Sequence, residues 1–230
     1  MEYLHNGFSL HIPQGAFPLS TDSMLLADFV KLPAKAAVLD LGAGCGTLGM
    51  LLCAKDDGCR VTGIELDAAA HAATEENAAR NELTDRLQSI CADLRNISQL
   101  TERGSFSCCV SNPPYFSGGP ASKTAATARR DDTCSAEALF ETAAYALKYG
   151  GDFFLVHRPE ELAHLCACAA QWDLQPKRLR LVRHKPDGPV ALILLQCRKG
   201  GKPGLVWEEL SLHDAQGQPT AEYKRIYHID

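Results

Sequence analysis

The stretch Ala36-Ala37-Val38-Leu39-Asp40-Leu41-Gly42-Ala43-Gly44-Cys45-Gly46 decides the fold of this 230-residue chain. Its first six residues are mostly apolar and predict a strand buried on both faces, as strands of parallel sheets are. Residues 47–55 follow as a predicted helix. A strand, a glycine turn and a helix N-terminus in this order are typical of a nucleotide site in an α/β fold.

The glycines of the turn follow the spacing G-x-G-x-G at Gly42, Gly44 and Gly46, with Asp40 two residues before the first. This spacing is not the G-x-G-x-x-G of dinucleotide folds, and no Lys-Ser/Thr pair follows, as it would in a phosphate-binding P-loop. Glycines let a ligand approach the backbone closely. The turn therefore suits an uncharged or zwitterionic ligand. Asp40 could hold an ammonium group of such a zwitterion, directly or through water. The alternative is a tight turn without a ligand.

Polar side chains also end the next three predicted strands along the chain. These strands are residues 60–65, 87–92 and 106–111, and the polar residues at their ends are Glu65, Asp93 and Asn112. Helical patterns separate the strands, so the alternation predicts a mostly parallel sheet. Ligands of open α/β folds bind at the carboxyl ends of the strands, and we therefore expect these residues and the glycine turn at one edge.

Two acidic residues have a predicted role beside a nucleoside, each with an alternative. Glu65 could chelate the two hydroxyls of a ribose. Asp67 is the rival for that role, although it also fits the N-cap of the helix that follows. Asp93 could accept a hydrogen bond from the exocyclic amine of an adenine, and its alternative role is to cap the helix predicted at residues 94–100.

The fourth strand leads into Ser111-Asn112-Pro113-Pro114-Tyr115-Phe116. The side-chain oxygen of Asn112 can accept a hydrogen bond from an amino group, and the Pro113 carbonyl could accept a second. Tyr115 or Phe116 could stack on a ring. This stretch suits a flat group that bears an amine. The alternative is a strand end followed by a Pro-Pro turn with two core aromatics.

Both motifs resemble the class I S-adenosylmethionine-dependent methyltransferases over residues 34–200. Asp40 to Gly46 is similar to the cofactor motif of that family, and Asn112-Pro113-Pro114-Tyr115 is similar to the signature of its amino-group methylating branch. The resemblance implies a doubly wound, Rossmann-like sheet of seven mostly parallel strands with helices on both faces and the last strand antiparallel. It also implies S-adenosylmethionine as cofactor, and no metal.

Within that branch, the chain resembles the small bacterial tRNA adenine-N6 methyltransferases that act beside the anticodon of valine tRNA. The cues are Asp22-Ser23-Met24-Leu25-Leu26, the long polar loop after Phe116, a basic strand and the segment from Glu222 to Tyr227. One departure is Ala128-Arg129-Arg130-Asp131, where the family usually has Ala-Arg-His-Glu, and it bears on the substrate more than on the chemistry.

The resemblance implies roles for particular residues. Methyl transfer to an exocyclic amine would use Asn112, Pro113, Pro114 and Tyr115. The cofactor would contact Asp40, Gly42, Gly44, Gly46, Glu65, Asp93 and Asn112. A protein glutamine-N5 or rRNA guanine-N2 methyltransferase is the alternative within the branch, and a catalytically silent cofactor- or RNA-binding module is the alternative from another class.

Two groups of basic residues are predicted to contact RNA, which we expect to be tRNA. The loop from Ser117 to Thr133 offers Lys123, Arg129 and Arg130, beside the aromatic Tyr115 and Phe116. Residues 177–185 carry five cations within nine residues, although the chain has a net charge of −5: Lys177, Arg178, Arg180, Arg183 and Lys185. Such a cluster is typical of a phosphate-contacting patch. For both groups the alternative is a solvated polar surface.

The composition indicates an ordinary globular protein, with 46% hydrophobic and 22% charged residues. No run is long enough to span a bilayer, the N-terminus lacks a signal-peptide pattern, and we expect the cytoplasm and no membrane partner. The ten cysteines form no C-x-x-C pair, so we expect free thiols. Residues 1–33 are predicted as a lead-in segment packed on the core, with residues 1–20 as a short hairpin or an irregular lead-in. Residues 34–200 are predicted as the methyltransferase domain and 201–230 as a tail packed on it.

Overall fold

The computed structural model describes residues 2–4, 7–13, 19–114 and 135–229 of the chain. Its strands, in chain order, are β1 (Glu2–Tyr3), β2 (Ser9–Leu10), β3 (Ala37–Leu41), β4 (Arg60–Glu65), β5 (Leu87–Cys91), β6 (Phe106–Ser111), β7 (Leu147–His157), β8 (Leu174–Arg183), β9 (Val190–Lys199) and β10 (Val206–Ser211).

The α-helices of the described residues alternate with these strands. They are α1 (Thr21–Phe29), α2 (Thr47–Lys55), α3 (Ala68–Arg80), α4 (Ile97–Leu100), α5 (Ala136–Ala146), α6 (Leu162–Gln171) and α7 (Ala221–Tyr227). Single 3₁₀ turns at Leu94–Asn96 and Pro159–Glu161 precede α4 and α6.

The central sheet has eight strands in the order β10-β8-β9-β7-β6-β3-β4-β5. Strand β9 runs antiparallel to both of its neighbours, and the other pairs of this sheet are parallel. The chain crosses from β5 at one edge to β6 beside β3, so the ends of β3 and β6 lie at the point where the strand order reverses. This is the doubly wound, Rossmann-like arrangement that the resemblance implied.

The sheet has eight strands, one more than predicted, and the antiparallel strand of the prediction is present as β9. The antiparallel strand, β9, lies inside the sheet between β7 and β8, and an eighth strand, β10, pairs in parallel with β8. Residues 206–211, which we expected in a packed tail, therefore extend the sheet. The otherwise unpaired backbone edge of β8 accounts for this, since an edge strand presents free N–H and C=O groups that another segment can pair with.

Two hydrophobic cores lie on the two faces of the sheet. On one face Phe29 of α1 packs edge-on against Phe154 of β7, with ring centroids 6.0 Å apart. On the other face Phe140 of α5 packs edge-on against Phe153, at 5.2 Å. Neighbouring residues of one strand thus point to opposite cores, as expected for a strand buried on both faces.

The N-terminal segment contains the short antiparallel hairpin β1–β2. It is fastened to α3, because Asn81 and Asn77 accept hydrogen bonds from the amides of Ser9 and His11, at 2.8 and 2.7 Å. No helix in the described ranges is long and apolar enough to cross a membrane.

Candidate active site

The ends of β3 and β6 are joined by a side-chain hydrogen bond at the carboxyl edge of the sheet. The hydroxyl of Ser111 donates to the Leu41 carbonyl at 2.8 Å, and both residues are buried. Leu41 is followed by Gly42 and Ser111 by Asn112. The structure thus brings the glycine turn and the start of the Asn-Pro-Pro stretch together at the point where the strand order reverses, where open α/β folds bind their ligands.

The glycine turn has a backbone shape that other residues rarely adopt. Gly42, Gly44 and Gly46 have φ angles of 75°, 58° and 77°. The amides of Gly42 and Ala43 both donate to the Ile64 carbonyl, at 3.0 and 3.1 Å, which ties the turn to β4. A Cβ atom built on Gly44 would meet no heavy atom within 4 Å, so the turn is open on that side.

Glu65, at the end of β4, organises the same turn. Its Oε2 accepts a hydrogen bond of 2.8 Å from the Gly44 amide, and its Oε1 accepts one of 2.8 Å from the Asp67 amide. Each carboxylate oxygen has a further lone pair, so both can still accept from a diol. Asp67 itself caps α3 by accepting from the amides of Ala69 and Ala70, which was the alternative role predicted for it.

Asp40 is buried directly below the turn. Its side chain is 2% exposed, and its Oδ2 has no hydrogen-bond partner among the described residues. Burial raises its pKa, and the charge of Glu65 raises it further, while a hydrogen bond from the Gly49 backbone lowers it; the net result is a pKa of about 7. A buried carboxylate oxygen that receives no hydrogen bond from the protein can accept a hydrogen bond from a cationic group of a ligand.

Two buried residues of α3 also hold the glycine turn, and the sequence analysis missed them. The Thr74 hydroxyl donates to the Gly44 carbonyl at 3.0 Å, and the Asn77 amide donates to the Cys45 carbonyl at 3.0 Å. Both side chains are fully buried. Their signal was available, because they are polar residues three positions apart in an alanine-rich helix and so lie on one face.

Asn112 is half-buried and is oriented by a residue of the stretch Asp22 to Leu26, to which the sequence analysis gave no role at the site. Its Nδ2 donates a 2.9 Å hydrogen bond to the hydroxyl of Ser23, in the first turn of α1. With the nitrogen so engaged, the other end of the amide, Oδ1, is the acceptor that remains. Pro113 is buried and Pro114 is half-buried beside it.

Asp93 lies at the same edge, after β5, and caps the 3₁₀ turn that follows. Its Oδ1 accepts from the Arg95 amide at 2.9 Å, and its carboxylate forms an ion pair with the Arg95 guanidinium. These hydrogen bonds hold the pKa of Asp93 below its usual value. The capping alternative is therefore present, and the contact to an adenine stays a prediction.

Arg178 and Arg180, predicted to contact phosphates, have protein partners instead. Both form ion pairs with Glu208 of β10, at 2.9 and 2.8 Å, and Arg180 also pairs with Asp28 of α1 at 2.9 Å. The Arg178 guanidinium lies 4.2 Å from the ring centroid of Phe29. These two side chains are 11% and 12% exposed, so they join α1, β8 and β10 and are poorly placed for a phosphate.

The other three cations of residues 177–185 are Lys177, Arg183 and Lys185, and their surroundings differ. Lys177 donates to the Lys202 carbonyl at 2.9 Å, and Arg183 donates to the Gly188 carbonyl. Lys185 is exposed and lies two residues after the end of β8. The remaining predicted substrate contacts lie outside the described residues, namely Tyr115, Phe116, Lys123, Arg129 and Arg130.

Among the described residues, one group of side chains could hold a metal ion, and it lies on two helices. Ligand atoms of Glu137, His164 and Cys168 lie within 4.8 Å of one another on α5 and α6. The two exposed members are 3.2 Å apart and form an ion pair whenever the imidazole is protonated. None of the three belongs to the strand ends described above.

Comparison with known proteins assigns this architecture to a family. Residues 18–165 match the model of the methyltransferase small domain. The tRNA1(Val) (adenine(37)-N6)-methyltransferase of Dickeya chrysanthemi is 35% identical over 191 residues, which are 81% of this chain and 75% of the relative. The enzyme of the same name from Photobacterium profundum is 28% identical over 93% of this chain and 91% of its own length.

Solved structures support the fold. A predicted O-methyltransferase from Agrobacterium tumefaciens superimposes with a TM-score of 0.76 and 21% identity, over 90% of this chain and 96% of that one. The 16S rRNA N2 G1207 methyltransferase of Thermus thermophilus, in complex with AdoMet and guanosine, gives a TM-score of 0.62 and 25% identity over 86% of this chain and 49% of that one.

Proposed function

This chain belongs to the methyltransferase small domain family and is an S-adenosylmethionine-dependent methyltransferase, and from this premise we propose that it methylates N6 of an adenine near the anticodon of a tRNA. The observation that carries the proposal is the orientation of Asn112, whose nitrogen is held by Ser23 and whose oxygen is left to accept from an amine. We propose the cytoplasm as the place of this reaction.

The residues at the strand ends fit S-adenosylmethionine. The Oδ2 of Asp40, which has no hydrogen-bond partner in the described part of the chain, suits the ammonium group of the methionine part, directly or through water. The two oxygens of Glu65 retain lone pairs for the ribose hydroxyls, and the open side of Gly44 admits a ligand close to the backbone. Asp93 would accept from the adenine amine in place of one of the hydrogen bonds that the Arg95 guanidinium makes to its two oxygens.

In the reaction, S-adenosylmethionine supplies a methyl group on a positively charged sulfur. An exocyclic amine of a base is a poor nucleophile, because its lone pair is delocalised into the ring. Two acceptors, Asn112 Oδ1 and the Pro113 carbonyl, would hold the two N–H bonds and turn the lone pair toward the methyl group. This is catalysis by positioning and electrostatics, without a covalent intermediate or a strong general base. Tyr115 would stack on the base.

The comparisons favour adenine in tRNA over the alternatives in one respect. The two relatives described above, which are named for tRNA adenine, match over 75% and 91% of their length, whereas the rRNA guanine-N2 methyltransferase matches over 49% of its length. The substrate base must be unpaired or flipped out to reach Asn112, and a tRNA loop offers such bases. Of the predicted phosphate contacts, the exposed Lys185 fits best, together with Lys123, Arg129 and Arg130.

The test is methyl transfer from labelled S-adenosylmethionine to bulk tRNA, rRNA and protein taken from cells that lack this gene. We expect label in tRNA, recovered as N6-methyladenine, and its loss with Asn112→Ala. Label in rRNA as N2-methylguanine, or in protein as methylglutamine, would keep the enzyme and overturn the substrate. Cofactor binding without transfer to any of the three pools would favour a binding module.

A further inference from the structure

The hydroxyl that holds Asn112 comes from a part of the chain far from the motif in sequence. Ser23 lies 89 residues before Asn112, in the first turn of α1, and its side chain is buried. The residue preceding the helix, Ser20, caps α1 by accepting from the Ser23 amide at 3.3 Å. The two serine hydroxyls lie 3.4 Å apart, so the hydroxyls and the asparagine amide form a chain of polar contacts.

The orientation of the Asn112 amide matters because its two ends have opposite hydrogen-bonding character. With Oδ1 toward the substrate, the side chain accepts from an amine; rotated by half a turn, it presents an N–H donor to another donor. A terminal amide rotates easily between two such positions unless a partner selects one. Ser23 can direct its hydroxyl hydrogen to Ser20, and its lone pairs then face the Asn112 nitrogen.

The helix that carries Ser23 is held at both ends. Ser20 caps its first turn, and the ammonium group of Lys55 caps its last turn by donating to the carbonyls of residues 27, 28 and 30, at 2.6 to 2.9 Å. Asp28 of the same helix pairs with Arg180 of β8 and with Arg225 of α7. The hydroxyl therefore belongs to a rigid element, as an accurate support for a site residue requires.

We propose that Ser23 is a positioning residue that keeps the Asn112 amide oxygen aimed at the amine to be methylated. The proposal rests on the proposed methylation of an amino group and assigns a supporting residue to it. Ser23 acts through Asn112 and touches neither the substrate nor the cofactor. Its loss should slow the methyl transfer step and leave the binding of S-adenosylmethionine unchanged.

The test compares Ser23→Ala with Ser107→Ala in single-turnover and steady-state methylation of tRNA from cells lacking this gene. Ser107 is a matched control, because it is a buried serine that bonds to the Ala37 backbone at the other end of β6. We expect Ser23→Ala to lower kcat about tenfold at unchanged cofactor KM, since small misplacements of a reacting group cost rate steeply. Ser107→Ala should lower the thermal midpoint and leave kcat within about twofold, because it lies far from the site.

A double-mutant cycle separates positioning from a general loss of structure. In the Asn112→Ala background, Ser23→Ala should change the residual rate by less than about twofold, since the group it positions is absent. An equal loss of kcat in both backgrounds, or a Ser23→Ala enzyme as active as Ser107→Ala, would overturn the proposal. If Asn112→Ala itself leaves methyl transfer intact, the proposed amino-group chemistry fails instead, so the two failures can be told apart.

Discussion

The backbone amide of Gly44 donates a 2.8 Å hydrogen bond to the carboxylate of Glu65, 21 residues further along the chain. The glycine turn after β3 and the acidic residue at the end of β4 are therefore parts of one structure. A single carboxylate shapes the turn with one oxygen and holds the Asp67 amide with the other. Truncation of Glu65 would therefore remove its structural role together with the ligand role that we propose for it.

Replacing Glu65 with glutamine should damage the turn as well as the ribose contact. A glutamine has one oxygen and one NH₂ group, so either the Gly44 or the Asp67 amide would lose its acceptor. Hydrogen bonds to charged groups contribute about 1.5–3 kcal/mol, so we expect the Kd for S-adenosylmethionine to rise by a factor of about ten to a hundred. Isothermal titration calorimetry measures this change.

Glu75→Gln is the matched control for that substitution. Glu75 also accepts a backbone amide, that of Ser89 at 2.8 Å, but only its Oε1 takes part in that contact. A glutamine can keep its oxygen there, so cofactor affinity should stay within about twofold of the unchanged protein. Equal affinities for Glu65→Gln and Glu75→Gln would contradict the assignment of Glu65.

Asp40→Asn should change how stability depends on pH. The pKa of Asp40 is about 7 in the folded protein and 3.8 when unperturbed, so the folded state holds a proton that the unfolded state has lost between these values. Stability from this group is full below the lower pKa, falls as pH rises toward about 7, and is then constant. Between about pH 5.5 and pH 7.5 the wild type should lose about 2 kcal/mol relative to Asp40→Asn, measured by urea unfolding without cofactor.

Cofactor binding should show the opposite pH dependence at the same residue. As Asp40 ionises, its attraction for the cofactor ammonium grows, so the affinity of the wild type should rise between about pH 5.5 and pH 7.5. Asp40→Asn should bind more weakly, with a flatter profile. Parallel profiles for the two proteins would show that another group titrates.

Gly63 lies in β4, beside the glycine turn, and Gly63→Ala should distort that turn by a steric clash. A Cβ atom at Gly63 would lie 2.6 Å from the Cβ of Ala43, inside the turn. Such overpacking costs about 1–3 kcal/mol of stability, and we expect weaker cofactor binding with it. The compensating change Ala43→Gly should restore part of both losses in the double variant. Thermal unfolding and calorimetry follow the two effects, and a double variant no better than Gly63→Ala would argue against this contact.

Substitutions of Arg180 and Lys185 should distinguish the residues of segment 177–185 that stabilise the fold from those that bind RNA. Arg180→Gln leaves Asp28 and Glu208 without one of their cations, and we expect a loss of about 1–3 kcal/mol in unfolding free energy, because these groups are largely buried. Lys185→Gln should leave stability within about 0.5 kcal/mol, since it is exposed.

RNA binding should respond in the opposite way. Lys185→Gln should weaken tRNA binding and reduce the salt dependence of the affinity by about one unit of slope, as expected for one lost phosphate contact. Arg180→Gln, assayed below its unfolding temperature, should leave that slope unchanged. A reduced salt dependence of tRNA affinity in Arg180→Gln would indicate that Arg180 contacts a phosphate, as the sequence predicted.

Much of the site could be predicted because local sequence encodes it. The strand–glycine turn–helix pattern and the polar residues at strand ends follow from periodicity and from the direction of parallel strands, which brings Asp40, Glu65, Asp93 and Asn112 to one edge. The same motifs predicted the family and its doubly wound sheet, and the comparisons and the structure confirmed both. The individual roles of these residues in binding and catalysis stay predictions.

For the basic segment 177–185, the sequence pattern was insufficient to predict the partner of each cation. Five cations in nine residues indicate a charged surface. Whether each charge meets a phosphate or a carboxylate depends on which segments pack beside it. Glu208 reaches Arg178 and Arg180 because β10 pairs with β8, and that pairing joins segments about thirty residues apart. Sequence spacing carries no information about such a pairing.

The sequence alone thus determined the class of sheet, the position of its binding edge and the residue types that face it, because these depend on local periodicity and turn chemistry. Only the tertiary structure decided that β10 completes the sheet, that Thr74 and Asn77 hold the glycine turn, and that Ser23 orients Asn112. Each of these contacts joins residues distant in the chain, and the packing of helices on the sheet, rather than any local preference, sets which side chains come within hydrogen-bonding distance.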